Sequence, residues 1–178
     1  KENRGFAFAN NLGAEVAKNI FAPEYLLFSN SDIQLPEEFE LSILKKELED
    51  RKDVAMIGPK VVGLNGKDQS PGKYMSIYKR HIVPNLLWPM YKAIPKLKQI
   101  NYDVVNNAQD GEVYRIIGAF MLAREKPFFE VGGFDEHTFL YAEEPILTER
   151  FREKGYKIWY TNEVKIIHEQ GVSTTDRT

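Results

Sequence analysis

The chain has no cysteine. That excludes disulfides, cysteine-ligated zinc and thiol catalysis, and it fits a protein of the reducing cytosol. No apolar run approaches the roughly 20 residues of a membrane span, and no signal peptide is visible. Net charge is small as well: 24 Lys and Arg stand against 26 Asp and Glu, giving −2 overall. No bulk field therefore draws the chain to nucleic acid. There is no internal repeat, no low-complexity segment, and no glycine- and lysine-rich phosphate loop near the start of the kind a nucleotidyltransferase would carry. Acids are missing locally: none occurs from Gln69 to Tyr102, although that stretch holds Lys73, Lys79, Arg80, Lys92, Lys96 and Lys98. A starting methionine is absent too. Patterned sequence is under way from Lys1, which reads as an excised piece of a longer protein.

What is present is an ordinary globular composition. The 178 residues are 43% hydrophobic and 28% charged, enough for one domain with a real core and too few for two comfortable ones. The most informative stretch is Tyr25-Leu26-Leu27-Phe28-Ser29-Asn30-Ser31-Asp32. An apolar run closed by turn-forming residues predicts a strand buried on both faces. In open α/β sheets, ligands gather beyond the carboxyl ends of the strands, where Asp32 would lie. A carboxylate there suits a hard cation such as Mg²⁺ or Mn²⁺ that holds a diphosphate. It equally suits a turn cap toward Pro36.

Before that strand, Asn3-Arg4-Gly5-Phe6 and Asn10-Asn11-Leu12-Gly13 read as loop chemistry. Asn10 or Asn11 is the expected N-cap of a helix whose stripe is Ala14, Val16, Ala17 and Ile20. Asn3 and Arg4 are either phosphate or base contacts or plain loop residues. After the strand, Pro36-Glu37-Glu38 predicts a helix start, with Phe39, Ile43, Leu44 and Leu48 buried. Val54–Gly58 is a second buried strand, and strand–helix–strand at this spacing predicts a crossover in a parallel sheet. Lys60–Lys67 reads as a small hairpin. Gly118 and Ala119 interrupt the strand-like Glu112–Ala123 and permit close approach to the backbone. A short helix over 124–131 follows, then the turn Gly132–Glu136. Pro145 opens a further helix ended by Gly155, and two last short strands run 157–160 and 164–168. The basic, aromatic and proline-broken segment 69–102 is either a solvated excursion or a surface for an anionic or lipid-linked partner.

Several of these pieces, in the same order, resemble family 2 glycosyltransferases of the GT-A fold. Asn3-Arg4-Gly5-Phe6 resembles that family's Asn-x-Gly-Phe lead-in. Leu27–Asp32 is similar to its Asp-x-Asp-type strand end, in the variety of rhamnosyl- and related transferases. Gly118–Arg124 with Val131–Glu136 looks like its acceptor-side segment, Phe139–Glu144 like its Glu-Asp motif, and His168-x-x-Gly171-x-Ser173 like its closing motif. Two features depart from the pattern: the first strand with its Pro-x-Tyr-Asn loop would lie before Lys1, and Ile146 stands where a further aspartate is usual.

The resemblance implies a single α/β, GT-A-like (Rossmann-like) domain with a mostly parallel sheet, lacking its N-terminal nucleotide-binding strands. Residues 1–68 would form the donor and metal side, 69–102 a basic insertion, and 103–178 the acceptor side. It implies inverting transfer of a sugar from a nucleotide-sugar donor to a saccharide or lipid-linked acceptor. Mg²⁺ or Mn²⁺ would sit on Asp32, with His168 as a second ligand or a phosphate contact. Glu144 would be the base, with Asn3, Arg4, Asn30, Gly118, Ala119, Asp135 and Glu143 against substrate. The rival reading is a non-catalytic carbohydrate- or partner-binding module on the same fold. The expected place of work is the cytoplasm, at the inner face of a membrane if segment 69–102 binds lipid.

Overall fold

The computed structural model describes residues 3–74, 104–138 and 142–169. Helix α1 (Gly5–Phe21) precedes strand β1 (Tyr25–Ser29) and the short β2 (Ile33–Gln34). Helix α2 (Leu41–Glu49), β3 (Val54–Gly63), β4 (Gly111–Val113) and β5 (Phe120–Arg124) follow. Helices α3 (Glu125–Glu130) and α4 (Glu143–Glu153) lead to β6 (Lys157–His168). The six strands form one sheet in the order β1-β5-β3-β6-β2, with β4 also paired to β6.

The α/β class with helices over a sheet is as expected, but the sheet is mixed rather than mostly parallel. Among the described residues only β3 and β6 pair in parallel. β5 lies between β1 and β3 and runs antiparallel to both. The connection from β1 through α2 therefore skips one position in the sheet. β5 is buried along Phe120–Ala123, as a central strand should be, but continuous apolar sequence carries no information about strand direction.

Both faces of the sheet are covered. On one, Ala7 and Ala14 of α1 and Leu147 and Phe151 of α4 pack with Leu26, Phe28, Met56, Met121, Ile158 and Tyr160. On the other, Leu44 and Leu48 of α2 meet Ile57, Val61, Phe120, Leu122 and Ile166. Successive β5 residues point to opposite faces, so Met121 and Ala123 serve one core while Phe120 and Leu122 serve the other.

Several boundaries differ from those expected. α1 starts at Gly5, so Asn10 and Asn11 lie inside it, and Val16 and Ile20 are exposed. The small Ala7 and Ala14 form its buried line instead. β1 alternates: Leu26 and Phe28 are buried while Leu27 is 44% exposed, so it is not covered on both faces by described residues. Pro36 closes a turn through the Phe39 amide (3.0 Å), and α2 begins only at Leu41. The strand at Val54 and the first hairpin arm are one strand, with Pro59 at a register irregularity where a missing N–H is tolerated. The two final strands are likewise one, with Asn162, Glu163 and Val164 stepping out of the ladder. The hairpin survives in reduced form, as a Val62–Asp68 bridge closed by Gly63 N–H to Lys67 O at 2.9 Å.

Candidate active site

The carboxyl end of β1 is ringed by hydrogen bonds that join its neighbours. Asn30 N–H donates to Ala119 O at 2.9 Å, continuing the β1–β5 pairing one residue past Ser29. The next amide, Gly118 N–H, donates to Glu144 Oε1 at 2.9 Å. One residue back, Ile117 N–H donates to Ser70 Oγ at 3.4 Å. Ser70 adjoins Gln69, whose Oε1 lies 2.7 Å from His168 Nδ1. His168 Nε2 in turn lies 3.3 Å from Asp32 Oδ1. Asp32, His168, Asn30, Gly118, Ala119 and Glu144, far apart in sequence, thus share one run of contacts.

Strand register explains the convergence. β2 pairs with β6 so that Ile33 lies opposite His168, and Glu169 N–H donates to Asp32 O at 3.0 Å. Asp32 is therefore held at the end of β6 twice, by its carbonyl to the Glu169 amide and by its carboxylate beside His168. The Asp32 and His168 side chains retain only 16% and 7% of their exposure, so charge placed between them is weakly screened.

The Asp32–His168 pair fits a divalent cation. A carboxylate oxygen and an imidazole nitrogen form a mixed donor set acceptable to Mn²⁺, with remaining positions for diphosphate oxygens or water. Neighbouring donors on an octahedral ion with bonds of about 2.1 Å lie roughly 3 Å apart, close to the separation found here. Among the described residues no group of three or more His, Asp or Glu side chains is placed to hold a metal.

Glu144 is fixed from one side. Its Oε1 is engaged by Gly118, and a Cβ at position 118 would stand 2.7 Å from that oxygen, so glycine is what lets the carboxylate reach the backbone. Among the described residues the second Glu144 oxygen accepts no hydrogen bond. Glu143 is only 4% exposed; its Oε2 accepts the Ala142 N–H at 2.9 Å, and its buried Oε1 has no hydrogen-bond partner among the described residues.

Asp135 belongs to a different group. Its Oδ1 meets both the side chain and the backbone N–H of His137, at 2.7 and 3.1 Å, and its Oδ2 lies 3.5 Å from Arg150. The His137 side chain, then the His137 amide, then Arg150 hold the Asp135 carboxyl below its ordinary range. Asn3 Oδ1 accepts the Gly5 N–H at 3.0 Å and so tethers the start of α1, while the Arg4 guanidinium stacks on Phe8 at 3.5 Å. Both contacts are local. Phe139–Tyr141, Gly171, Ser173 and segment 75–102 lie outside the described residues.

Reading motifs did not reveal Gln69, Ser70, Asn11 or Arg150. Asn11 was expected as a helix cap. Instead its carboxamide pairs with the backbone of Phe134, donating to the carbonyl at 2.9 Å and accepting the amide at 3.0 Å. Phe134 then inserts among Phe6, Phe28 and Phe128, with ring centroids 5.5, 5.0 and 5.4 Å away. Gly132 and Gly133 precede it at φ +79° and +66°, and Arg150 donates to Gly133 O at 2.9 Å. The turn before α4 is thereby anchored to α1, β1 and α3.

The mixed sheet flanked by helices is an α/β arrangement of the GT-A-like kind, as the solved structures below show. The chain is glycosyltransferase-like in sequence as well: it is 28% identical over 170 residues to the rhamnosyltransferase WbbL of Escherichia coli K12, covering 92% of this chain and 60% of that protein. The chain thus spans about three-fifths of the length of this curated relative. Among solved structures, likeness in fold extends to GalNAc-T7 crystallised with UDP, GalNAc and Mn²⁺. That match has a TM-score of 0.62 at 13% identity and covers 95% of this chain and 31% of the other. A197 from STIV superposes with a TM-score of 0.57 at 11% identity, covering 93% of this chain and 68% of the other. No protein-family model matches the chain.

Proposed function

We propose that this chain carries the reaction face of a metal-dependent, inverting glycosyltransferase. It would move a sugar from a nucleotide-sugar donor to a hydroxyl of a saccharide or lipid-linked acceptor, in polysaccharide or glycolipid synthesis. The observation that carries the reading is the Asp32–His168 pair, 3.3 Å apart and largely buried, in the same ring of contacts as Glu144. The likeness to a rhamnosyltransferase and to a fold crystallised with Mn²⁺ and UDP supports it.

In this reading Asp32 and His168 would hold Mg²⁺ or Mn²⁺. The ion, when bound, neutralises charge developing on the leaving diphosphate. Glu144 does the proton chemistry. Its Oε1 is held by Gly118 N–H, which orients the carboxylate, and its second oxygen takes the acceptor hydroxyl proton. The acceptor oxygen then bonds to the sugar's anomeric carbon as the bond to the diphosphate oxygen breaks, its electron pair leaving with the phosphate. Asn30 and the backbone at Gly118 and Ala119 line the approach. Asp135, ion-paired at the neighbouring turn, contributes acceptor contacts. The basic segment 69–102 serves a membrane-borne acceptor at the cytoplasmic face, a role that rests on its composition.

The test is release of nucleoside diphosphate by the full-length protein across a panel of nucleotide sugars. Turnover should vanish in chelator, return with Mn²⁺ or Mg²⁺, and fail to return in Asp32→Asn. Turnover that ignores chelator removes the metal from the account. No turnover with any donor, together with metal-independent saccharide binding, would favour the non-catalytic module.

A further inference from the structure

We infer that Gln69 is a positioning residue that selects the tautomer of His168 and thereby turns its Nε2 lone pair toward Asp32. The inference rests on the metal reading above for its purpose, but not for its geometry.

Both ends of the Gln69 carboxamide address His168. Oε1 lies 2.7 Å from the ring Nδ1, and Nε2 donates to the His168 carbonyl at 3.4 Å. The amide could be turned the other way only by placing Oε1 against that carbonyl oxygen, two acceptors in contact. The orientation present is the one that satisfies both ends. An amide oxygen can only accept, so Nδ1 must be the donor and the proton of the neutral ring resides there. Nε2 is left as a lone pair facing Asp32 Oδ1 at 3.3 Å. Two electron-pair donors at that distance repel unless a cation or a proton lies between them. Without Gln69, the ring would gain by moving its proton to Nε2 and donating it to Asp32, which would occupy the position a metal needs. A partner on the far ring nitrogen is how proteins commonly fix a metal-binding imidazole.

The chain positions Gln69 for this. Its amide donates to Val61 O at 2.9 Å, just past the Val62–Asp68 bridge. Gly63 lies opposite His168 in the parallel β3–β6 register. A Cβ on Gly63 would sit 2.8 Å from Gln69 Nε2, so the missing side chain is the space the carboxamide fills.

The test uses ¹⁵N-resolved imidazole NMR on the metal-free protein at a pH where His168 is neutral, with Mn²⁺ alone titrated by electron paramagnetic resonance. The parent should show His168 protonated on Nδ1. Gln69→Leu should move the proton to Nε2 and weaken Mn²⁺ binding by about 10–100-fold. Gly63→Ala should shift the tautomer the same way without altering Gln69 itself. A parent already protonated on Nε2, or an unchanged tautomer in both variants, overturns the inference. If the tautomer moves as expected but the parent binds no Mn²⁺, the positioning role stands and the metal reading fails.

Discussion

Removing the Asn11 carboxamide should cost more stability than an ordinary helix-surface change. In Asn11→Ala the Phe134 amide and carbonyl both lose their partner, at 3.0 and 2.9 Å, beside a phenyl ring that is 1% exposed. Each net hydrogen bond is worth about 0.5–1.5 kcal/mol, and a buried group left unpaired costs about 1–3 kcal/mol. Because these bonds are only part-buried, water recovers some of the loss, and about 2–3 kcal/mol is expected. In a chain of this size that is a fall in Tm of roughly 4–12 °C. Asn10→Ala is the control. Among the described residues Asn10 donates only to Phe6 O one turn back in the same helix, at 3.0 Å, and alanine favours the helix, so its effect should stay within about 0.5 kcal/mol. The assay is urea and thermal unfolding of parent and both variants by circular dichroism. If Asn11→Ala matches Asn10→Ala, the anchoring of the 132–135 turn to α1 is not what holds that turn.

Further outcomes follow from the same contacts. Asp135→Asn should destabilise near neutral pH, because the folded-state pKa of Asp135 is lowered by its His137 and Arg150 partners. That contribution is present above the unfolded carboxylate value, about 3.9, and is lost as pH falls through the lower folded value, so parent and variant should converge in acid. Unfolding free energies at pH 7 and below pH 4 check the sign. Gly118→Ala should cut turnover while leaving donor binding close to parental, because its Cβ would meet Glu144 Oε1 at 2.7 Å; a kcat and KM pair reads this directly. Charge reversal at Lys92, Lys96 and Lys98 together should sharply weaken binding to anionic vesicles, at about 1 kcal/mol per basic residue. Sedimentation that is absent in the parent or unchanged in the variant makes the segment a solvated excursion.

Much of this architecture was legible because burial leaves a pattern. The apolar runs at Tyr25, Val54 and Phe120 did become strands, and Leu44 with Leu48 did become the buried line of a helix. Direction left no such trace: β5 reads the same whether it runs with its neighbours or against them. The start of α1 was misplaced because asparagine is a good cap, and nothing local distinguishes a capping Asn11 from one that pairs with Phe134 across the fold. Asp32 and His168 were singled out by motif, and the β2–β6 register accounts for their proximity. Gln69 could not be found that way. Its importance depends on which strand lies beside β3, information held in the tertiary arrangement alone.

In the proposed reaction Glu144 takes the acceptor's proton beside a donor held at Asp32 and His168. Glu144→Gln can still accept the Gly118 N–H through its amide oxygen but cannot take a proton. The decisive measurement is kcat and donor affinity of this variant side by side with the parent. The account predicts donor affinity near parental and kcat lower by about 10²–10⁴-fold, with Glu143→Gln milder. Near-parental kcat in Glu144→Gln, with loss in Glu143→Gln or Asp135→Asn instead, would contradict it and place the base on another carboxylate.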